Sequence, residues 1–437
     1  MEKKDPSSEA AEPRTWSRRQ LLKAGGALGV GLATAASAGS RAEARKASET
    51  SSPPLRNRVE DIGGPNKADY EARIEKARRA VVDHGFDALF VEAGTSLSYF
   101  SGVSWWPSER VFGLLIPRKG EIAYVSPAFE EGRARERITV GTDVRTWQED
   151  ESPYAQVHGI LKERGLTTSR LAVDPEARLF VFDGLANELS ATRVLEGSGV
   201  INACRGRKDE KELALMRRAN EITQAAIFHA ASRLEEGMTQ RQLAQAVQDA
   251  HVAQGAEPGW ALVLFGPNAA YPHGTDASYT LKKGDLVLMD CGTEVHGYQS
   301  DITRTYCFGK APTDRQLQVW EVVRQAQEAA FRRIRPGVHA GEIDRTARAV
   351  IEKAGFGSGY SAFTHRLGHG IGMEGHEWPY LVRGNPLPLA PGMTFSNEPG
   401  IYLVGDIGVR IEDILCVTNE GCQYLSEPVT ELQVVGA

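Results

Sequence analysis

The alternation of apolar and polar positions becomes regular from about Tyr70 onward. Tyr70, Ile74, Ala77 and Val81 recur at intervals of three and four, the period of one helix face, so the spacing predicts a helix over 70–84. Residues 87–91 follow as an unbroken apolar run of strand length. Residues 112–116, 122–125 and 171–173 repeat that pattern, with helical stretches such as 153–164 between them. Strands alternating with helices predict an α/β domain over 67–203. It contains no glycine-rich phosphate loop, so nucleotide binding finds no support there.

A second region, 204–437, opens with a charged turn at 208–212 and a long helix to about Leu234. Its pattern is then duplicated. Glu236-Gly237-Met238-Thr239 precedes an amphipathic helix over 242–254, as Pro336-Gly337-Val338-His339 precedes one over 342–353. Residues 281–290 align without a gap on 389–398, and Gly284 and Gly392 each stand six residues before a carboxylate, Asp290 and Glu398. Two copies of one unit predict an α+β domain with pseudo-twofold symmetry, each half contributing acid to the interface between them.

Those acids carry the chemistry. Period-two alternation places Leu286, Leu288 and Asp290 on one strand face. A turn near 295–298 lets residues 301–306 return beside that strand and bring Asp301 next to Asp290. Unneutralised carboxylates at the end of an apolar strand are costly. Glu398 and Glu412 repeat the arrangement in the second half. His369 sits in Gly368-His369-Gly370-Ile371-Gly372, where glycines let the backbone approach a centre closely. Four carboxylates and an imidazole form a hard donor set suited to Mn(II), Fe(II) or Co(II). Their charge balances two divalent ions, an arrangement that activates a bridging water near neutral pH. Structural salt bridges to Arg304 and Arg410 are the alternative, but five such groups at duplicated positions favour metal.

Asp290-Cys291-Gly292-Thr293, Ser300-Asp301-Ile302-Thr303-Arg304-Thr305, the Gly368–Gly372 block, Glu398-Pro399-Gly400-Ile401-Tyr402 and Gly408-Val409-Arg410-Ile411-Glu412-Asp413 resemble the signature blocks of Xaa-Pro peptidases. These are aminopeptidase P and prolidase, of the pita-bread metallopeptidases; residues 67–203 resemble more loosely the creatinase-type N-terminal domain that precedes it. The resemblance implies a dinuclear-metal hydrolase that cleaves the Xaa-Pro imide bond by a metal-bridged hydroxide, acting as a homodimer or homotetramer. Asp290, Asp301, His369, Glu398 and Glu412 would be its metal ligands. A relative of the same fold acting on a small non-peptide substrate, lyase or amidinohydrolase-like, is the alternative.

The resemblance also places three more histidines in the site. His273, in Pro272-His273-Gly274, would contact substrate at the rim, and His365 would be a further active-site histidine. His376, in His376-Glu377-Trp378-Pro379, would steady the scissile carbonyl or the tetrahedral intermediate. Imide hydrolysis needs such oxyanion stabilisation and a proton for the leaving nitrogen. His84, His158, His229, His251, His296 and His339 read as ordinary structural or surface histidines. Arg410, two residues from Glu412, shares its strand face and would orient the acids or meet a substrate carboxylate. Arg383 is a second candidate anchor. Trp105 and Trp106 would offer an aromatic face to a proline ring across a subunit boundary.

Composition narrows the remainder. Of 437 residues, 41% are apolar and 25% charged, ordinary values for a globular protein. The net charge of −6 lacks the basic footprint of a nucleic-acid binder. Five scattered cysteines without a CxxC pair make no disulfide framework, and Cys291 reads as core. Ser17-Arg18-Arg19-Gln20-Leu21-Leu22-Lys23, a Gly/Ala-rich stretch and Ala36-Ser37-Ala38 resemble a twin-arginine export signal over 1–38. A flexible linker over 39–66 is expected to follow it. About 15 weakly apolar residues fall short of the roughly 20 that span a bilayer. The expectation is therefore a periplasmic or extracytoplasmic protein, membrane-tethered only if the signal stays uncleaved. The export machinery would be its partner.

Overall fold

The computed structural model describes residues 54–436; the expected export signal lies outside them. Helix α1 (Lys67–Asp83) starts where the Asn66 side chain caps the amides of Ala68 and Asp69, and Asp69 returns the bond to Asn66. It buries Ile74, Ala77, Ala80 and Val81 at helical spacing. There follow β1 (Ala88–Glu92), α2 (Thr95–Ser101), β2 (Gly113–Pro117), β3 (Ala123–Pro127), α3 (Glu131–Arg137), β4 (Asp143–Trp147), α4 (Pro153–Glu163), β5 (Arg170–Val173), α5 (Leu179–Glu188) and β6 (Arg193–Glu196). The six strands form one mixed sheet in the order β4-β3-β2-β1-β5-β6. Phe90 faces Leu115 across an antiparallel pair and Val173 across a parallel one.

The strands read as continuous apolar runs because both sheet faces are covered. Leu89, Val91 and Leu114 pack with α1 and α2, while Ala88, Phe90 and Leu115 pack with α4 and α5. Each fully buried Leu or Phe contributes about 1.5–3 kcal/mol. Helix α6 (Ser198–Arg205) returns to this core through Val200, Ile201 and Cys204.

The second half opens with α7 (Glu210–Ala231), started by an Asp209–Glu212 capping box, then α8 (Gln240–Val252), β7 (Trp260–Phe265), β8 (Leu286–Gly292), β9 (Glu294–Val295), β10 (Tyr298–Gln299) and β11 (Ile302–Phe308). The second copy comprises α9 (Asp314–Arg333), α10 (Ala340–Lys353), β12 (Gly368–Gly370), β13 (Glu377–Leu381), β14 (Thr394–Asn397), β15 (Gly400–Leu403), β16 (Ile407–Arg410), β17 (Asp413–Val417) and β18 (Cys422–Tyr424), and β19 (Val434–Val435) returns to pair with β11 of the first copy. Two sheets, β19-β11-β8-β7 and β13-β12-β14-β17-β18, each take a pair of helices on one face.

The duplication is visible bond by bond. The Gly237 amide donates to the Leu281 carbonyl, and the Gly337 amide to that of Leu389, both at 2.8 Å. Leu281 returns a bond to Met238 as Leu389 does to Val338, both at 2.9 Å. Gly284 and Gly392 both adopt positive φ, 96° and 83°, where a side chain would strain the turn before the acid-bearing strand. The halves join where the Glu412 amide donates to the Thr303 carbonyl at 3.1 Å.

One expectation needs correction. The end of the supposed flexible linker lies on the second half: Leu55, Val59 and Ile62 pack against its cores, and Arg58 donates to the Gln254 carbonyl. Three apolar residues at spacings of four and three suffice to dock it.

Candidate metal centre

The five expected ligands converge where the two halves meet. Strand β8 delivers Asp290, and the register Thr303↔Asp290 sets Asp301 just before β11 begins. Strand β12 delivers His369, Glu398 follows β14, and Glu412 joins β16 to β17. Donor atoms of Asp290, Asp301 and Glu412 lie within 4.8 Å of one another, as do those of His369, Glu398 and Glu412. His369 Nε2 is 3.3 Å from Glu398 and 3.6 Å from Asp301. Its Nδ1 lies 3.1 Å from the Gly370 carbonyl, which fixes the proton there and leaves the Nε2 lone pair free for a metal ion.

The chemistry of this set fits divalent cations. Asp290 Oδ1 and Asp301 Oδ1 are buried without a hydrogen-bond partner, at a cost of about 1–3 kcal/mol or more each unless an ion takes them. Burial and then the Glu412 carboxylate raise the pKa of Asp301, and burial leads the rise of Glu398 to about 7. Burial and His376 hold His369 down to about 3, neutral as a ligand must be. Divalent ions held by these residues would supply a water nucleophile near neutral pH and polarise a carbonyl.

Arg410 is the internal counter-charge. Its Nη2 pairs with Asp290, Nη1 donates to the Tyr402 hydroxyl at 3.0 Å and the Pro272 carbonyl at 3.1 Å, and Nε donates to Thr303 Oγ1 at 3.0 Å. Four of its five N–H groups are thus occupied, so Arg410 orients acids and is not a free anchor for a substrate carboxylate. Arg304 braces the backbone behind the site through the Glu412 carbonyl at 2.7 Å and Asp413 at 2.6 Å.

The histidines separate into distinct places. His365 Nδ1 lies 2.8 Å from the Arg366 carbonyl and Nε2 2.8 Å from the Tyr402 hydroxyl, with Glu398 3.8 Å away. Burial and Arg410 drop it to about 3, so it stays neutral and its Nε2 accepts a hydrogen bond from the Tyr402 hydroxyl. His376, exposed at the surface of the site, lays its ring over that of His369 with centroids 3.7 Å apart, and burial of part of the ring and Arg366 lower its pKa. His273 is exposed beside Pro272, and its charge acts on both His365 and His376. The six remaining histidines include His251, bonded to the Pro258 carbonyl, and His296, bonded to that of Ile62.

One expectation fails here. Trp105 is buried, one face stacked on Phe112 at 4.2 Å and Arg133 4.6 Å from its ring, so it has no face for substrate. Arg383, just after β13, lies over Tyr360 with its guanidinium carbon 5.3 Å from the ring centroid. Trp106, by contrast, is 86% exposed. Sequence reasoning missed Thr303, which donates to Glu412 at 2.6 Å; Tyr402; Ser396, which donates to Glu398 at 3.0 Å; and Arg366. Thr303 and Tyr402 stood inside the recognised blocks, and Arg366 directly follows His365, so position was the available signal. All five cysteines are free, with Cys291 buried in the core.

Residues 214–419 match the family description "Metallopeptidase family M24", and residues 73–206 match "Creatinase/Prolidase N-terminal domain". The probable dipeptidase PepE of Mycobacterium tuberculosis is 37% identical over 374 residues, covering 84% of this chain and 96% of that protein. The chain belongs to metallopeptidase family M24. The Xaa-Pro dipeptidase of Lactobacillus delbrueckii subsp. lactis is 34% identical over 367 residues, 83% of this chain and 98% of its own. The crystal structure of dipeptidase PepE from Mycobacterium ulcerans superposes with a TM-score of 0.79 at 33% identity, covering 86% of this chain and 100% of that one. As a family M24 protein, the chain is a metal-dependent peptidase with a creatinase-type N-terminal domain and a pita-bread catalytic domain, as the resemblance implied.

Proposed function

We propose that this enzyme hydrolyses Xaa-Pro dipeptides with two divalent ions, Mn(II) by preference. Arg366 carries the choice of a dipeptide. It is half-buried, makes no close ion pair among the described residues, and stacks over Tyr380 at 4.4 Å. Its charge reaches His369, His376 and Glu398, so it stands at the rim of the metal centre. A dipeptide puts its free carboxylate one residue beyond the scissile bond, where a nearby arginine can receive it; a longer peptide has no charge there. Relatives named as dipeptidases support this reading.

Asp290, Asp301, His369, Glu398 and Glu412 hold the ions. His376 donates to the developing oxyanion, and His273 meets substrate at the rim. Tyr402 and Arg410 hold His365 and the acids in register. The oxygen-rich donor set favours Mn(II), with Fe(II) or Co(II) the nearest substitutes. The paired arginines Arg18 and Arg19 support export by the twin-arginine route in the folded state. Exposed Trp106 supports a homodimer or homotetramer in which a partner covers it.

The test gives the chain from Gly39, loaded with Mn(II), a Gly-Pro dipeptide and an Xaa-Pro-Yaa tripeptide, with products read by mass spectrometry. Cleavage of the dipeptide, and a raised KM for it alone in Arg366→Ala, are expected. Preferred cleavage of the tripeptide would make the enzyme an aminopeptidase P. Cleavage of neither, with metal bound, would point to a non-peptide substrate.

A further inference from the structure

The loop 371–376 between β12 and β13 ends in His376, and its shape is fixed from outside the loop. Glu377, the next residue, is buried among cations: Lys208 Nζ lies 2.6 Å from its Oε1 and Arg205 Nη2 2.9 Å from its Oε2. The same Arg205 nitrogen is 3.1 Å from Glu374, two residues before His376. One guanidinium therefore grips the loop on both sides of His376. Its other terminal nitrogen reaches the N-terminal domain, 3.3 Å from Glu176 and 3.1 Å from the Ser96 hydroxyl. Gly372, at the start of the loop, leaves no slack: a Cβ there would lie 2.5 Å from Glu377 Oε1.

We infer that Arg205 is a positioning residue that sets how His376 meets His369 and the substrate, making the N-terminal domain a working part of the catalytic centre. The inference rests on the reading of His376 as the group that faces the substrate carbonyl. Arg205 is buried, with a planar fork that can hold Glu176, Glu374 and Glu377 at once; a lysine ammonium at its place cannot. A buried ion cluster adds little net stability over apolar packing. What this cluster adds is a fixed direction for the loop, and a misplacement of about 1 Å at a reacting centre costs on the order of a hundredfold in rate.

A double-mutant cycle tests it in the metal-loaded enzyme, because groups that act as a unit are non-additive. Arg205→Lys keeps the buried positive charge and so should fold. It is expected to lower kcat about tenfold with KM and bound metal unchanged, and to cost nothing further in a His376→Ala background. Amide hydrogen exchange across 371–377 should quicken in the metal-free Arg205→Lys protein. An equal loss of kcat in both backgrounds, or none in either, would overturn the inference. Wild-type turnover in His376→Ala alone would instead overturn the role of His376. Should Arg205→Lys not accumulate, Glu176→Ala, at the exposed edge of the cluster, is expected to lower kcat two- to threefold only where His376 is present; identical turnover there would sink the link to the N-terminal domain.

Discussion

Thr303→Val removes one oxygen from a dry site and leaves the side-chain shape intact. The Thr303 hydroxyl donates to Glu412 at 2.6 Å and accepts from Arg410 Nε at 3.0 Å, and the residue is fully buried. Both bonds involve charged groups, worth about 1.5–3 kcal/mol each, so their joint loss is about 3–6 kcal/mol before relaxation. At about 2.1 cal/mol/K per residue over 437 residues, the unfolding entropy is about 0.9 kcal/mol/K, which converts that loss to a fall in Tm of about 3–7 °C. Loss of an outer partner of a metal ligand typically weakens metal binding about 10–100-fold, and Glu412 should behave so. The assay is a thermal melt of the metal-loaded protein together with a Mn(II) titration by calorimetry, with Thr303→Ser as control. Serine keeps the hydroxyl and should stay near wild type in metal affinity. If valine binds metal as wild type does, or serine loses as much affinity as valine, Thr303 does not orient Glu412.

Three other outcomes are expected. Tyr402→Phe strips a partner from His365 Nε2 and from Arg410 Nη1, and should lower kcat about 10–100-fold while metal analysis finds the ions retained. Glu176 is raised to about 7, first by burial, so the native state holds a proton that the unfolded chain releases near 4.5. Its contribution to stability is therefore present at low pH and lost as pH rises from about 4.5 through about 7. Glu176→Gln mimics the protonated form, so its Tm relative to wild type should be higher at pH 8 than at pH 5.5; a constant difference would refute the titration. Asp290→Asn removes a ligand and the partner of Arg410, and metal content and activity should vanish together.

The acids were legible because they stand in or at the ends of apolar strands whose pattern is duplicated, and His369 because glycines flank it. The helices and four strands of the N-terminal sheet were legible from local period and apolar runs, whereas β4 and β6, only partly buried, gave no such run. What stayed hidden depends on distant parts of the chain. Thr303 gains its role from Arg410, 107 positions away, and Tyr402 from His365, 37 away. Arg366 and Arg383 look alike as sequence, and only the fold turns one toward the metal centre. Two adjacent tryptophans give no sign of which one the sheet buries. Ser and Pro around 51–54 read as a flexible lead, masking the three apolar residues that dock the segment after them.

The most direct measurement is the number of divalent ions bound per chain, by mass spectrometry of dialysed protein alongside peptidase activity. Two per wild-type chain are expected, with activity lost on chelation and regained as ions return. Full activity with one ion per chain, or with none, would contradict a centre built from Asp290, Asp301, His369, Glu398 and Glu412.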